Sequence, residues 1–134
     1  PVLGWWIHAS GALLLDRDDV RQGIEVILKG IDYLKQGKNV AIFPEGTRSK
    51  TDEFLPFKQG SMKLASKSGV PIVPFSVKGT ADVFENNYIN LKPEKVYITF
   101  GEPIMINDLP KEVQAKSAEY LSQIIKEMYD QSGQ

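Results

Sequence analysis

The chain has 134 residues, and its 16 basic and 17 acidic side chains leave a net charge of −1; that is length enough for one domain with a real core and gives no charge excess to draw a nucleic acid. It has no cysteine and one histidine, which excludes disulfides, thiolate metal centres, a cysteine nucleophile and histidine-rich metal sites, so no protein-bound metal or cofactor is expected. Its apolar stretches fall well short of the ~20 residues that cross a bilayer, no signal peptide is recognisable, and the chain as given is expected to be soluble.

Pro1 to Ile7 is apolar and aromatic, and Trp5-Trp6 has two readings. The pair is either core under or over a sheet, or a contact to a membrane interface or acyl chain. Ala12 to Leu15 reads as a short strand. Asp18 or Asp19 then caps a helix whose apolar positions Val20, Ile24, Ile27, Leu28, Ile31 and Leu34 keep the 3.6-residue period, and Gly37 supplies its stop. Asn39 to Phe43 reads as a buried strand that Pro44 ends, because proline cannot donate to a ladder. Strand, helix and strand together predict a right-handed parallel crossover.

Gly60 to Ser68 predicts a short helix ending at Gly69. Pro71 to Val77 lacks alternation, as a strand covered on both faces does, and its two prolines predict a bulge or a gap in the ladder. A turn-rich stretch from Lys78 to Pro93 follows. Val96, Ile98 and Phe100 alternate with Tyr97 and Thr99 to give another strand. Asp108 and Pro110 open a last helix with Val113, Leu121, Ile124, Ile125 and Met128 as its buried stripe. Strands alternating with helices predict one α/β domain, with a mostly parallel or mixed sheet flanked by helices.

The stretch Phe43-Pro44-Glu45-Gly46-Thr47-Arg48-Ser49 carries the chemistry. Ligands of open α/β sheets sit beyond the carboxyl ends of strands, where this loop is expected. Gly46 lets backbone approach a ligand closely, Thr47 and Ser49 add hydroxyl donors, and Arg48 offers a planar fork suited to a phosphate. Arg17 follows its own strand in the same way, so two guanidinium groups can converge on one anion if those strands are neighbours. Lys58 adds a point charge, and the backbone amide of Gly60, ahead of a helix, can face the same anion. The plainer readings pair Arg48 with Glu45, pair Arg17 with Asp16, Asp18 or Asp19, and leave Lys58 in water. From Glu45 to Lys67 five basic residues face three acidic ones. No serine-hydrolase elbow and no nucleotide-binding phosphate loop occurs.

Four segments together resemble the glycerol-phosphate acyltransferase superfamily, most closely the lysophosphatidate acyltransferases. They are Gly11-Ala12-Leu13-Leu14-Leu15-Asp16-Arg17, the Phe43 to Ser49 stretch, Phe57-Lys58-Gln59-Gly60, and Val70-Pro71-Ile72-Val73-Pro74; the resemblance runs from Pro1 to about Ile104. It implies the glycerol-phosphate acyltransferase fold and transfer of an acyl group from coenzyme A or acyl carrier protein to lysophosphatidic acid. The product is phosphatidic acid, and no cofactor is required. It also implies substrate binding by Arg17, Glu45, Gly46, Thr47, Arg48, Ser49, Lys58 and Gly60, with Glu45 at the glycerol part of the acceptor and Lys58 at either the acceptor's phosphate or the acyl carrier. Pro71 and Pro74 become a wall of the acyl site. The family's His followed four residues on by Asp has no match here, since His8 is followed by Ala12. The chain is therefore expected to be the C-terminal part of one acyltransferase domain, spanning residues 1–134, incomplete at its N-terminus and without turnover by itself. The whole protein is expected at a membrane surface on the cytoplasmic side, with no nucleic-acid partner. The alternatives are a non-catalytic phosphate- or lipid-binding module and a related acyltransferase with another glycerolipid acceptor.

Overall fold

The computed structural model describes residues 5–6, 9–13, 20–47, 53–83 and 93–133. Helix α1, Val20–Lys35, is the helix that the 3.6-residue spacing predicts. It stops at Gly37, as expected: the Lys38 amide donates to the Tyr33 carbonyl at 3.0 Å and the Gly37 amide to that of Leu34 at 3.0 Å, which satisfies two carbonyls of the last turn. Gly30 and Ile31 are buried, and Gly30 leaves room for the Leu64 side chain. The stripe is only partly covered, however, because Ile24 and Leu28 are exposed.

A 3-10 turn, Gln59–Met62, leads into helix α2, Lys63–Ser68, which closes at Gly69 with its amide on the Ala65 carbonyl at 2.8 Å. Strand β1, Phe75–Lys78, pairs antiparallel with β2, Tyr97–Phe100, in the register Phe75↔Phe100 to Lys78↔Tyr97. Helix α3, Thr80–Val83, follows β1. After β2 come a 3-10 turn, Ile106–Asp108, helix α4, Lys111–Ala115, and helix α5, Ser117–Gln131. The predicted last helix is thus present but broken at Lys116.

The ladder continues past a bulge. Ile72 and Ile104 exchange both backbone hydrogen bonds, at 2.9 and 2.8 Å, and the Gly101 amide donates to Pro74 at 2.8 Å. Between the pairs Ile72↔Ile104 and Phe75↔Phe100 the second strand holds one residue more than the first, the signature of a bulge. The two prolines predicted that interruption, and Gly101 accommodates it: a Cβ there would lie 3.0 Å from Pro74 and from the Met128 sulfur.

Two strand expectations are corrected. Asn39 to Phe43 forms no strand, and Phe43 is 73% exposed, its ring meeting Phe75 edge to face at 6.0 Å. A strand exists only through a partner's hydrogen bonds, and the expected partner lies largely outside the described residues, as Leu14 and Leu15 do. The parallel crossover is therefore not formed among the described residues, where the sheet is a two-stranded antiparallel pair. The Pro71 to Val77 run is not covered on both faces either, since Val73 is exposed.

Met62, Ala65, Ile106, Ala118 and Leu121 form the core, with Phe57, Ile72 and Ile104 packed on it. Helix α5 covers the polar face of the strand pair. There the Thr99 and Ser132 hydroxyls lie 2.8 Å apart, and Lys78 Nζ donates to the carbonyls of Ser132 and Tyr129 at 3.0 and 3.4 Å. Ile98 and Phe100 point the other way and are exposed, as side-chain alternation requires. Trp5 and Trp6, 70% and 65% exposed and stacked edge to face, are not part of the core.

One hydroxyl on the covered face, that of Ser76, is buried without a hydrogen-bond partner. An unpaired buried polar group costs about 1–3 kcal/mol. Ser76→Ala is therefore expected to leave the melting temperature unchanged or raise it, and a clear drop in a thermal melt would show that the hydroxyl is partnered in solution.

Candidate functional site

The motif loop begins as a tight turn. The Gly46 amide donates to the Phe43 carbonyl at 3.0 Å, with Pro44 second and Gly46 fourth in the turn, and Gly46 takes a φ of 70°. Pro44 presets its own φ for such a turn, while a side chain at the fourth position would carry the left-handed penalty.

A second segment, residues 53–58, runs alongside and is tied to the loop at two points. The Leu55 amide donates to Glu45 Oε2 at 3.0 Å, and the Lys58 amide donates to the Pro44 carbonyl at 2.9 Å. Phe54 anchors the segment by packing edge to face on Tyr129 of α5 at 5.2 Å, and Phe57 anchors it in the core. The result brings the Lys58 side chain over the loop: a Cβ built on Gly46 would lie 3.0 Å from both Cε and Nζ of Lys58. A fixed loop of backbone groups with an ammonium laid across it is an arrangement that can receive an anion.

Of the residues singled out by sequence, Glu45, Gly46 and Lys58 are thus brought together, with Glu45 half-buried and Lys58 exposed. Thr47 is exposed at the end of the described loop. Gly60 stands close to Lys58 on the 3-10 turn, with open space where its Cβ would be. Arg17, Arg48 and Ser49 lie outside the described residues. Pro74 is buried against Gly101 at the bulge, whereas Pro71 is exposed.

Glu45 does something its sequence did not announce. One carboxylate oxygen is occupied by a backbone amide ten residues away, so Glu45 fastens the loop to the neighbouring segment. Gln59 has no role in the sequence reading either, although it stands in the Phe57-Lys58-Gln59-Gly60 segment. Its hydrogen bonds reach residues 55 to 59 positions along the chain, and no local pattern announces partners that distant. Among the described residues no group of three or more His, Cys, Asp or Glu side chains is placed to hold a metal ion, and no helix is long and apolar enough to cross a membrane.

Comparison with known proteins gives a consistent picture. A sequence model of the family described as Acyltransferase matches residues 1–78. The 1-acyl-sn-glycerol-3-phosphate acyltransferase of Saccharomyces cerevisiae is 34% identical over 133 residues, covering 97% of this chain and 43% of the yeast protein. A chloroplastic protein of the same name from Brassica napus is 40% identical over 83 residues, 62% of this chain and 24% of that one. In structure, the chain resembles the lysophosphatidate acyltransferase PlsC from Thermotoga maritima with a TM-score of 0.75 and 27% identity, covering 97% of this chain and 51% of PlsC. The chain spans about half the length, or less, of these proteins.

Proposed function

We propose, from the premise that the chain belongs to the acyltransferase family, that it carries the acceptor-binding part of an enzyme that acylates lysophosphatidic acid to phosphatidic acid. The donor is a fatty acyl thioester, on coenzyme A or on acyl carrier protein, and the acceptor is presented at a membrane surface on the cytoplasmic side. The exposed Trp5 and Trp6 suit that surface, because indole favours the headgroup level.

One observation carries the reading: Lys58 lies across Gly46 in a loop held by Glu45 and by the Pro44 carbonyl. The acceptor of this reaction differs from a neutral monoacylglycerol by its phosphate, and a site that selects it must offer cationic and backbone donors in a fixed position. Lys58 supplies a charge already held over the loop. Arg48, which follows directly on Thr47, adds the bidentate fork, with Arg17 as a second. Glu45, with one oxygen on the Leu55 amide, keeps the other for a glycerol hydroxyl. Thr47, Ser49 and the Gly60 amide complete the donors, and Pro71 and Pro74 border the acyl chain. These are binding and orienting groups, and the attacking hydroxyl needs a general base besides them.

The test is a pair of titrations of this chain. A short-chain lysophosphatidate below its critical micelle concentration is expected to bind more tightly than the matching monoacylglycerol, and Lys58→Met is expected to reduce that preference. Equal affinity for the two lipids in the unaltered protein would overturn the reading.

A further inference from the structure

We propose that Gln59 is a positioning residue that holds Lys58 over the anion loop by fastening the loop to the start of helix α5. The proposal rests on the loop being the phosphate site.

The first amides of a helix have no partner within it. Lys116, the residue that caps α5, makes no side-chain capping hydrogen bond. The vacancy is filled from far away: the Ala118 amide donates to Gln59 Oε1 at 3.0 Å, while Gln59 Nε2 donates to the Ser117 hydroxyl at 3.0 Å and reaches the Gln114 carbonyl at 3.4 Å. Both ends of one side-chain amide are thereby used at one helix start. Their orientation is fixed by chemistry, because turning the amide over would set its NH₂ against the Ala118 N–H. Ser117 and Ala118 are buried at 1% and 4% exposure, while Gln59 itself is exposed.

The preceding residue completes the link. Lys58 immediately precedes Gln59, its backbone amide is bonded to Pro44 at 2.9 Å, and its side chain crosses Gly46. A continuous path of short bonds therefore runs from α5 through Gln59 and Lys58 into the motif loop. It is braced by a parallel set. Gln114 Nε2 donates to the carbonyls of Asn107 and Leu109 at 3.1 and 2.7 Å, and Asn107 Nδ2 donates to that of Ser66 at 3.1 Å. Helix α5 lies outside the portion that the family model matches, yet it is the element on which the site's fixed charge is hung.

The experiment combines amide hydrogen exchange with lipid titration of the whole chain. Gln59→Ala is expected to speed exchange at Ala118 and Lys58 together, and to weaken lysophosphatidate binding roughly tenfold, the low end of what one charge-assisted hydrogen bond contributes, with monoacylglycerol unaffected. Gln59→Glu keeps an acceptor for Ala118 and can accept the Ser117 proton, and its charge is favourable at a helix start, although it turns an oxygen toward the Gln114 carbonyl; exchange at Ala118 and Lys58 is expected to stay near that of the unaltered protein. Ser132→Ala, which cuts a hydrogen bond at the far end of α5, is expected to lower the melting temperature without changing the lipid preference. Faster exchange at Ala118 alone, with Lys58 exchange and lipid preference unchanged, would reduce Gln59 to a helix cap and overturn the proposal. So would fast Lys58 exchange in a folded Gln59→Glu protein whose Ala118 amide stays slow, which also decides the matter if Gln59→Ala does not fold. An unaltered chain that fails to prefer lysophosphatidate overturns the acceptor reading instead, while joint or separate exchange at Ala118 and Lys58 still decides the coupling.

Discussion

Arg48→Lys is expected to weaken lysophosphatidate binding by roughly 10- to 150-fold while leaving monoacylglycerol binding as it was. The substitution keeps the charge and removes the fork: arginine presents two parallel N–H groups to a phosphate, and lysine only a point charge. Losing one charge-assisted hydrogen bond costs about 1.5–3 kcal/mol, which is the stated range in affinity. The competing role for Arg48 is to pin Glu45. That role is weakened by the Leu55 amide, which already holds one Glu45 oxygen at 3.0 Å. If pinning were nevertheless its task, Arg48→Lys and Glu45→Gln would both lower the melting temperature and would affect both lipids alike. Titrations with the two lipids beside thermal melts of the two variants separate the cases: a depressed melt with an unchanged lipid preference ends the phosphate-fork assignment.

Gly79→Ala is expected to destabilise the fold far more than one added methyl group ordinarily does. Gly79 ends β1 with a φ of 92°, and a Cβ there would run into the Lys95 carbonyl oxygen, with Val96 Cα 3.7 Å away. The left-handed conformation alone costs a side-chain-bearing residue about 1–2 kcal/mol. The clash comes on top, and its partner is backbone, so no rotamer change relieves it. Relief requires the chain before β2 to move away, which pulls at the end pair Lys78↔Tyr97. A total near 2 kcal/mol or more corresponds to a melting temperature lower by roughly 5–10 °C. Gly37→Ala is the matched control, since Gly37 has a φ of 79° and nothing within 4 Å of its Cβ position. Equal melting temperatures for the two variants would show that the Lys95 contact carries no energetic weight.

What could be read from the residues alone was whatever short-range chemistry decides. The α1 periodicity, the stops at Gly37 and Gly69, the interruption near Pro74 and the alternation of β2 all appear where local rules put them. The failures share a different cause. Asn39 to Phe43 has the composition of a strand, but composition does not provide a partner. Ile24 and Leu28 have helical spacing, but spacing does not provide a surface to pack on, and both are exposed. In the candidate site, Lys58 was legible from its motif, whereas the Leu55 amide on Glu45 and the reach of Gln59 to α5 depend on chain segments that only folding brings together.

The bulge at Gly101 sets the phase of the second strand. Counting by twos from Ile98 would put Phe100, Glu102 and Ile104 on one side, yet Ile104 packs on the core while Ile98 and Phe100 face outward. The bulge absorbs the extra residue and so keeps them apart, because an unabsorbed shift by one position would exchange the two faces of the strand. Removing Gly101 would therefore act as a regularisation and not as an inversion: two residues would remain between the paired positions on each strand, so with Ile104 held in place Ile98 and Phe100 would stay outside and Thr99 under α5. The strand thus carries one residue that it can lose without trading its interior for its exterior.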